Sequence, residues 1–205
     1  MIKVENICKK IKNNEIIKNI SYQFDCGKIY GLYGRNGSGK TVFLKLLSGF
    51  YKLDSGSVLY EGVSYSKNNV CKDVRVLIDG PSFYGDLSGY DNLKLLADIN
   101  KKISNKEIED ILKVVNLYDE KDKKYSKYSL GMKQKLGIAQ ALMENTKYIF
   151  LDEPFNGVEE ATVTKLIDYI KSIKEDKVII ISTHIKEDLD NISDVIIKIE
   201  DGKIC

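Results

Sequence analysis

Gly34-Arg35-Asn36-Gly37-Ser38-Gly39-Lys40-Thr41 follows the pattern G-x-x-x-x-G-K-[ST] and lies between an apolar run at 29–33 and an amphipathic run carrying Phe43, Leu44, Leu46 and Leu47. Strand, glycine loop and helix in that order make a cradle for phosphate. Glycines let the backbone wrap closely around negative charge, so that several N–H groups and the helix N-terminus point at it. In such a cradle Lys40 reaches the β- and γ-phosphates of a nucleoside triphosphate and the Thr41 hydroxyl binds Mg²⁺. An ordinary glycine turn would not require the Lys-Thr pair.

Working outward from the loop, further strands are expected at 16–24 and 57–60, bounded by the turn residues Asp25, Gly27, Asp54, Ser55 and Gly56. Gly49 is placed to close the helix that the loop opens. From about 92 to 144 the pattern is helical. Leu93, Leu96 and Ala97 share one face, Ile108, Ile111, Leu112 and Val115 share another, and Ser104 with Glu107 forms a capping box. Two continuous apolar strands follow at 148–151 and 178–182, with an amphipathic stretch at 161–173 between them. Apolar strands alternating with helices predict an α/β fold, a mainly parallel sheet covered on both faces. The chain reads as one domain, 1–205. Its core is expected at 1–85 and 145–205, with a helical subdomain inserted at about 86–144.

Composition narrows the function classes. A chain of 205 residues, 43% hydrophobic and 30% charged, has enough apolar surface for one sizeable core. The net charge of +2 gives no case for a nucleic-acid partner. Four scattered cysteines (Cys8, Cys26, Cys71, Cys205) without a Cys-x-x-Cys pair read as reduced thiols, and a single histidine argues against structural zinc. No apolar run approaches the roughly 20 residues of a membrane-spanning helix. A cytosolic chain, or one peripheral to a membrane, is expected.

Two more elements carry chemistry. The strand Tyr148-Ile149-Phe150-Leu151 runs into Asp152-Glu153, and buried strands do not end in paired carboxylates by preference. In a parallel sheet the carboxyl ends face the ligand crevice. Asp152 is then a Mg²⁺ partner and Glu153 a general base or positioner for the attacking water. Ser182-Thr183-His184 ends the next apolar strand, which brings the only histidine to the same edge, in reach of the γ-phosphate or the water.

Together these residues resemble the nucleotide-binding domain of ATP-binding cassette (ABC) transporters, and the resemblance covers essentially the whole chain. Its most telling piece is Tyr128-Ser129-Leu130-Gly131-Met132-Lys133-Gln134-Lys135-Leu136, similar to the family's LSGGQ signature and starting, at Ser129, 23 residues before Asp152. Ser129 and Gly131 open a helix whose N-terminus makes a second anion site. The resemblance implies a P-loop NTPase core with an antiparallel strand region near the N-terminus. It also implies a head-to-tail dimer in which Ser129 and Gly131 of one subunit close over the ATP held by the other, and a separate integral membrane permease beneath. Lys40, Glu153 and His184 would be catalytic, Gly34, Asn36, Gly37, Ser38, Gly39, Lys40, Thr41 and Val42 would line the nucleotide, and Thr41 and Asp152 would face Mg²⁺. The subunit would sit on the inner face of the cell membrane.

Several positions depart from the family pattern. Ile11, among Lys9, Lys10 and Lys12, aligns where an aromatic usually stacks on adenine, which leaves GTP open beside ATP. Asp79, in Leu77-Ile78-Asp79-Gly80-Pro81, stands where the Q-loop glutamine is expected, and reads equally as a Mg²⁺ contact or a plain turn residue. In Pro154-Phe155-Asn156-Gly157-Val158-Glu159, similar to the D-loop, Glu159 replaces the usual Asp. These features resemble the branch that exports, or confers immunity to, peptide antibiotics and related amphiphiles. Phe83, Tyr84, Leu87 and Tyr90 are either core or a docking surface for the permease. A soluble ABC ATPase not coupled to transport, or a regulatory nucleotide-binding module, is the alternative.

Overall fold

The computed structural model describes residues 1–65, 71–80 and 82–205, and at Asn100 the backbone alone. Two sheets make its frame. In the first, β1 (Ile2–Ile11), β2 (Asn14–Phe24), β4 (Ser55–Tyr60) and β5 (Val63–Ser64) run antiparallel in the order β2-β1-β4-β5. The second has the order β10-β9-β3-β8-β7-β6 and is built from β3 (Lys28–Tyr33), β6 (Val74–Leu77), β7 (Tyr148–Asp152), β8 (Val178–Thr183), β9 (Val195–Glu200) and β10 (Lys203–Ile204). All its pairings are parallel except β9 with β10.

The continuous apolar run of β7 explains the layering. Side chains alternate across a strand, so Ile149 and Leu151 pack into one core with Ile179, Ile181 and the helices, while Tyr148 and Phe150 pack into another with Val178, Ile180 and the antiparallel sheet. Ile149, Phe150, Leu151, Ile179, Ile180 and Ile181 are all fully buried, each worth roughly 1.5–3 kcal/mol of transfer free energy. One face of the parallel sheet is thus covered by helices. The other is covered by α1 (Lys40–Leu47) together with the first sheet.

Between β6 and β7 the chain forms α2 (Gly89–Asn100), α3 (Asn105–Val114) and α4 (Leu130–Leu142), with two short 3-10 turns before α4. Ser88 caps α2, accepting from Asp91 N, and Ser104 with Glu107 makes the expected capping box of α3. Both helices share a core with the sheet through Leu93, Ile108, Ile111 and Leu112. After β7, α5 (Glu160–Ser172) and the short α6 (Glu187–Asp190) flank β8.

Two features differ from the sequence reading, and one position of the run 77–81 is not described. Ser55 and Gly56 belong to β4 instead of a turn, because Gly56, at φ 83°, opposes an irregular stretch of β1 where a Cβ would stand 2.4 Å from Glu5 O. The strands β1, β6, β9 and β10 are additions to the sequence reading, although Val195-Ile196-Ile197-Lys198-Ile199 followed by Asp201-Gly202 carries a local strand-and-turn signal for β9 and β10. Pro81 lies outside the described residues.

Candidate active site

Register builds the site. Tyr33 pairs with Thr183 and Asp152 with Ser182, so Gly34, Glu153 and His184 leave three adjacent strands at one edge of the sheet. That edge is the carboxyl end, where open α/β sheets bind ligands.

The glycine loop is held open by its neighbours. Gly37 and Gly39 have φ of 81° and 109°, in the left-handed region where a side chain is strained. Gly34 is required by space instead, since a Cβ there would stand 2.2 Å from Ile199 O and 2.7 Å from Ser38 Oγ. The turn at Gly202 braces the loop, donating from its N–H to Ser38 O at 3.1 Å while its carbonyl accepts from Lys18 N at 2.8 Å. No side chain caps α1, so the N–H groups of Lys40, Thr41 and Val42 have no intrahelical acceptor. Ser38 Oγ, in the same loop, is buried without a hydrogen-bond partner. These free donors and the unpaired hydroxyl are what a phosphate group would satisfy. Gly34→Ala is expected to destabilise the fold by about 1–3 kcal/mol and to weaken nucleotide binding. Thermal melts and titration calorimetry check it, and a variant equal to the parent in both would count against the close approach.

Beside the loop, the charged groups form one connected set. Thr41 Oγ1 donates to Asp152 Oδ2 at 2.7 Å, and Ser182 Oγ donates to Asp152 Oδ1. Lys40, 5% exposed, donates to Gly34 O at 2.7 Å and lies 3.7 Å from Glu153 Oε1. Glu153 Oε2 meets His184 Nδ1 at 3.0 Å, and an ionised carboxylate only accepts, so the proton on that bond belongs to Nδ1. Glu153 itself has φ 47°, unusual for a residue with a side chain. Its N–H donates to Ser182 O at 3.0 Å and its carbonyl accepts from Gln134 Nε2 at 3.1 Å. Ser182, Gln134 and Gly202 were not read from the sequence. Ser182, the polar end of an apolar strand, carried a faint signal; Gln134 lies inside the signature-like stretch and Gly202 in an Asp-Gly pair, but neither pattern says what the residue touches.

The remaining candidates divide. Ile11, Asn36, Gly37 and Val42 line one cavity of about 440 Å³ with Lys40, Thr41 and Glu153, so Ile11 does reach the loop. Asp79, at φ 61°, is ion-paired with Lys45 of α1 and has no hydrogen bond to Thr41 or Asp152. Ser129 caps α4, accepting from Met132 N at 3.2 Å, and its neighbour Leu130 is 81% exposed. Neither Ser129 nor Gly131 bonds to its own loop. Glu159 pairs with the buried Lys135 at 3.2 Å, and its own backbone N–H, then Lys135, hold its carboxyl below the usual range. Of the aromatic cluster, Phe83 and Tyr90 pack on the core, whereas Tyr84 is 67% exposed and lines a groove of about 520 Å³ with Leu95, Asn92 and Gln140.

Residues 17–156 match the family model described as ABC transporter. The chain belongs to the ABC transporter family. This ABC subunit is 36% identical over 208 residues to the bacitracin transport ATP-binding protein BcrA of Enterococcus faecalis, covering all of the chain and 68% of that protein. It is also 36% identical over 205 residues to the lantibiotic transport ATP-binding protein SrtF of Streptococcus pyogenes, covering 100% of the chain and 89% of that protein. Among solved structures, a dimeric post-hydrolysis state of the ATP-binding cassette MJ0796 bound to ADP and Pi superposes with a TM-score of 0.88 at 22% identity, over 100% of the chain and 96% of that one. The ABC subunit is therefore an ATP-binding ATPase subunit with the fold expected from its loop. No helix among its described residues is long and apolar enough to cross a membrane.

Proposed function

We propose that this ABC subunit hydrolyses ATP with Mg²⁺ as one half of a head-to-tail dimer and drives a separate membrane permease that moves a peptide antibiotic or a similar amphiphile. The observation that carries the reading is Glu153 held between Lys40 and His184, directly beside a loop of unsatisfied N–H donors. The names of the two relatives support the substrate class.

In this mechanism the loop N–H groups and Lys40 bind the β- and γ-phosphates. Glu153 accepts a proton from the attacking water, and His184 fixes the carboxylate through Nδ1. Thr41 and Asp152 would hold the metal. A hydroxyl and a carboxylate 2.7 Å apart are oxygen donors of the kind that suit Mg²⁺, an ion taken through one or two protein oxygens plus phosphate and water. Bound there, it would supply charge neutralisation on the phosphates. Asp79 is ion-paired with Lys45 and would have to leave it to help hold the metal. Ile11 gives the base an apolar wall without stacking.

Ser129 and Gly131, exposed to half-buried and remote from their own loop's hydrogen bonds, would complete the site of a second chain. The helical segment at about 86–144 would act as the subdomain that carries them, and the groove beside Tyr84 and Leu95 would receive the permease, which would hold the subunit at the inner face of the membrane. With the purified subunit, the ATPase rate is expected to rise more steeply than linearly with protein concentration and to vanish in excess EDTA. A strictly linear rise would count against the dimer, and activity in EDTA against the metal.

A further inference from the structure

The helix α4 grips the segment that carries Glu153 at three points. Gln134 Nε2 donates to the carbonyls of Glu153 at 3.1 Å and Pro154 at 3.2 Å. Three residues earlier, Gly131 lies so close to the segment that a Cβ would stand 2.5 Å from Gly157 O. One residue later, Lys135 joins Glu159 at 3.2 Å and donates to Asn116 O at 3.3 Å.

Of these three, Gln134 touches the residue whose backbone is unusual. Glu153 lies in the left-handed region, and a non-glycine residue stays there only when its surroundings over-determine it. On the N–H side the determinants are Ser182 O and Oγ. On the carbonyl side the donor is the Gln134 amide, which serves two successive carbonyls through one NH₂ group with two donors. Turning this peptide would swing the Glu153 side chain away from Lys40 and His184. We propose that Gln134 is a positioning residue for hydrolysis: its amide pins the backbone of Glu153 and so holds the Glu153 carboxylate between Lys40 and His184. Since α4 also begins at Ser129, a shift of the helix at that end reaches Glu153 through Gln134. This role rests on Glu153 being the group that places the attacking water.

Gln134→Leu removes both donors and is expected to lower kcat about 10-fold or more, with the KM for ATP and the melting temperature close to the parent values. Gln134→Glu keeps the length but turns an acceptor toward two carbonyls, and loses at least as much. In single-turnover assays, adding Gln134→Leu to Glu153→Gln causes no further slowing, because its effect runs through the Glu153 carboxylate. Parental kcat in Gln134→Glu, a raised KM with unchanged kcat, or full multiplication of the two losses would overturn the role. Parental hydrolysis in Glu153→Gln alone is a different result, which removes the assignment of Glu153 without any Gln134 variant.

Discussion

Glu153→Gln is expected to bind ATP within a few-fold of the parent affinity, to hydrolyse it about 10²–10⁴-fold more slowly, and to accumulate as an ATP-dependent dimer. Glutamine keeps the shape of the side chain and its bond to His184, but it neither takes a proton nor carries charge. Loss of that charge also removes repulsion between a carboxylate 3.7 Å from Lys40 and the incoming γ-phosphate, which favours the closed state. Rapid-quench kinetics and light scattering with and without ATP separate the two effects. Hydrolysis at the parent rate would remove Glu153 from its assigned role.

Lys40→Ala has the larger effect on binding. The ammonium is buried in the loop, where it bridges Gly34 O and Glu153, and a charge-assisted bond to phosphate is worth about 1.5–3 kcal/mol. Its removal also leaves Glu153 facing the phosphates without its neighbouring cation. ATP affinity is expected to fall roughly 100-fold, about 2.7 kcal/mol, in titration calorimetry. An unchanged affinity would show that the loop does not hold the nucleotide.

How legible these features were follows from the range of the forces involved. The loop, the start of α1, the capping box at Ser104 and Glu107 and the apolar strands β7 and β8 rest on neighbours within a few residues. Each could be read locally. Asp152, Glu153 and His184 were legible because a charged or titratable residue ending a continuous apolar run contradicts burial and so advertises the sheet edge. Asp79 shows where this kind of reading stops. Its type allowed metal or turn, and its pairing with Lys45 depends on how the end of β6 approaches α1. Glu159 is similar, because its reach to Lys135 is set by the packing of α4 against the segment after β7.

By itself, then, the sequence determined the phosphate loop, the two apolar strands with their polar ends and the helical run between them, because glycine freedom, side-chain alternation and helix capping act over a few residues. The tertiary structure alone decided that β3, β8 and β7 are adjacent and in a register that brings Gly34, Glu153 and His184 to one edge. Strand order and register arise from burying both faces of a sheet at once, and a slip of one residue would turn every side chain to the opposite face. The Gln134 amide under Glu153 and the Gly202 brace on Ser38 depend on that same assembly. Their bonds join residues far apart in the chain, at distances no local pattern encodes.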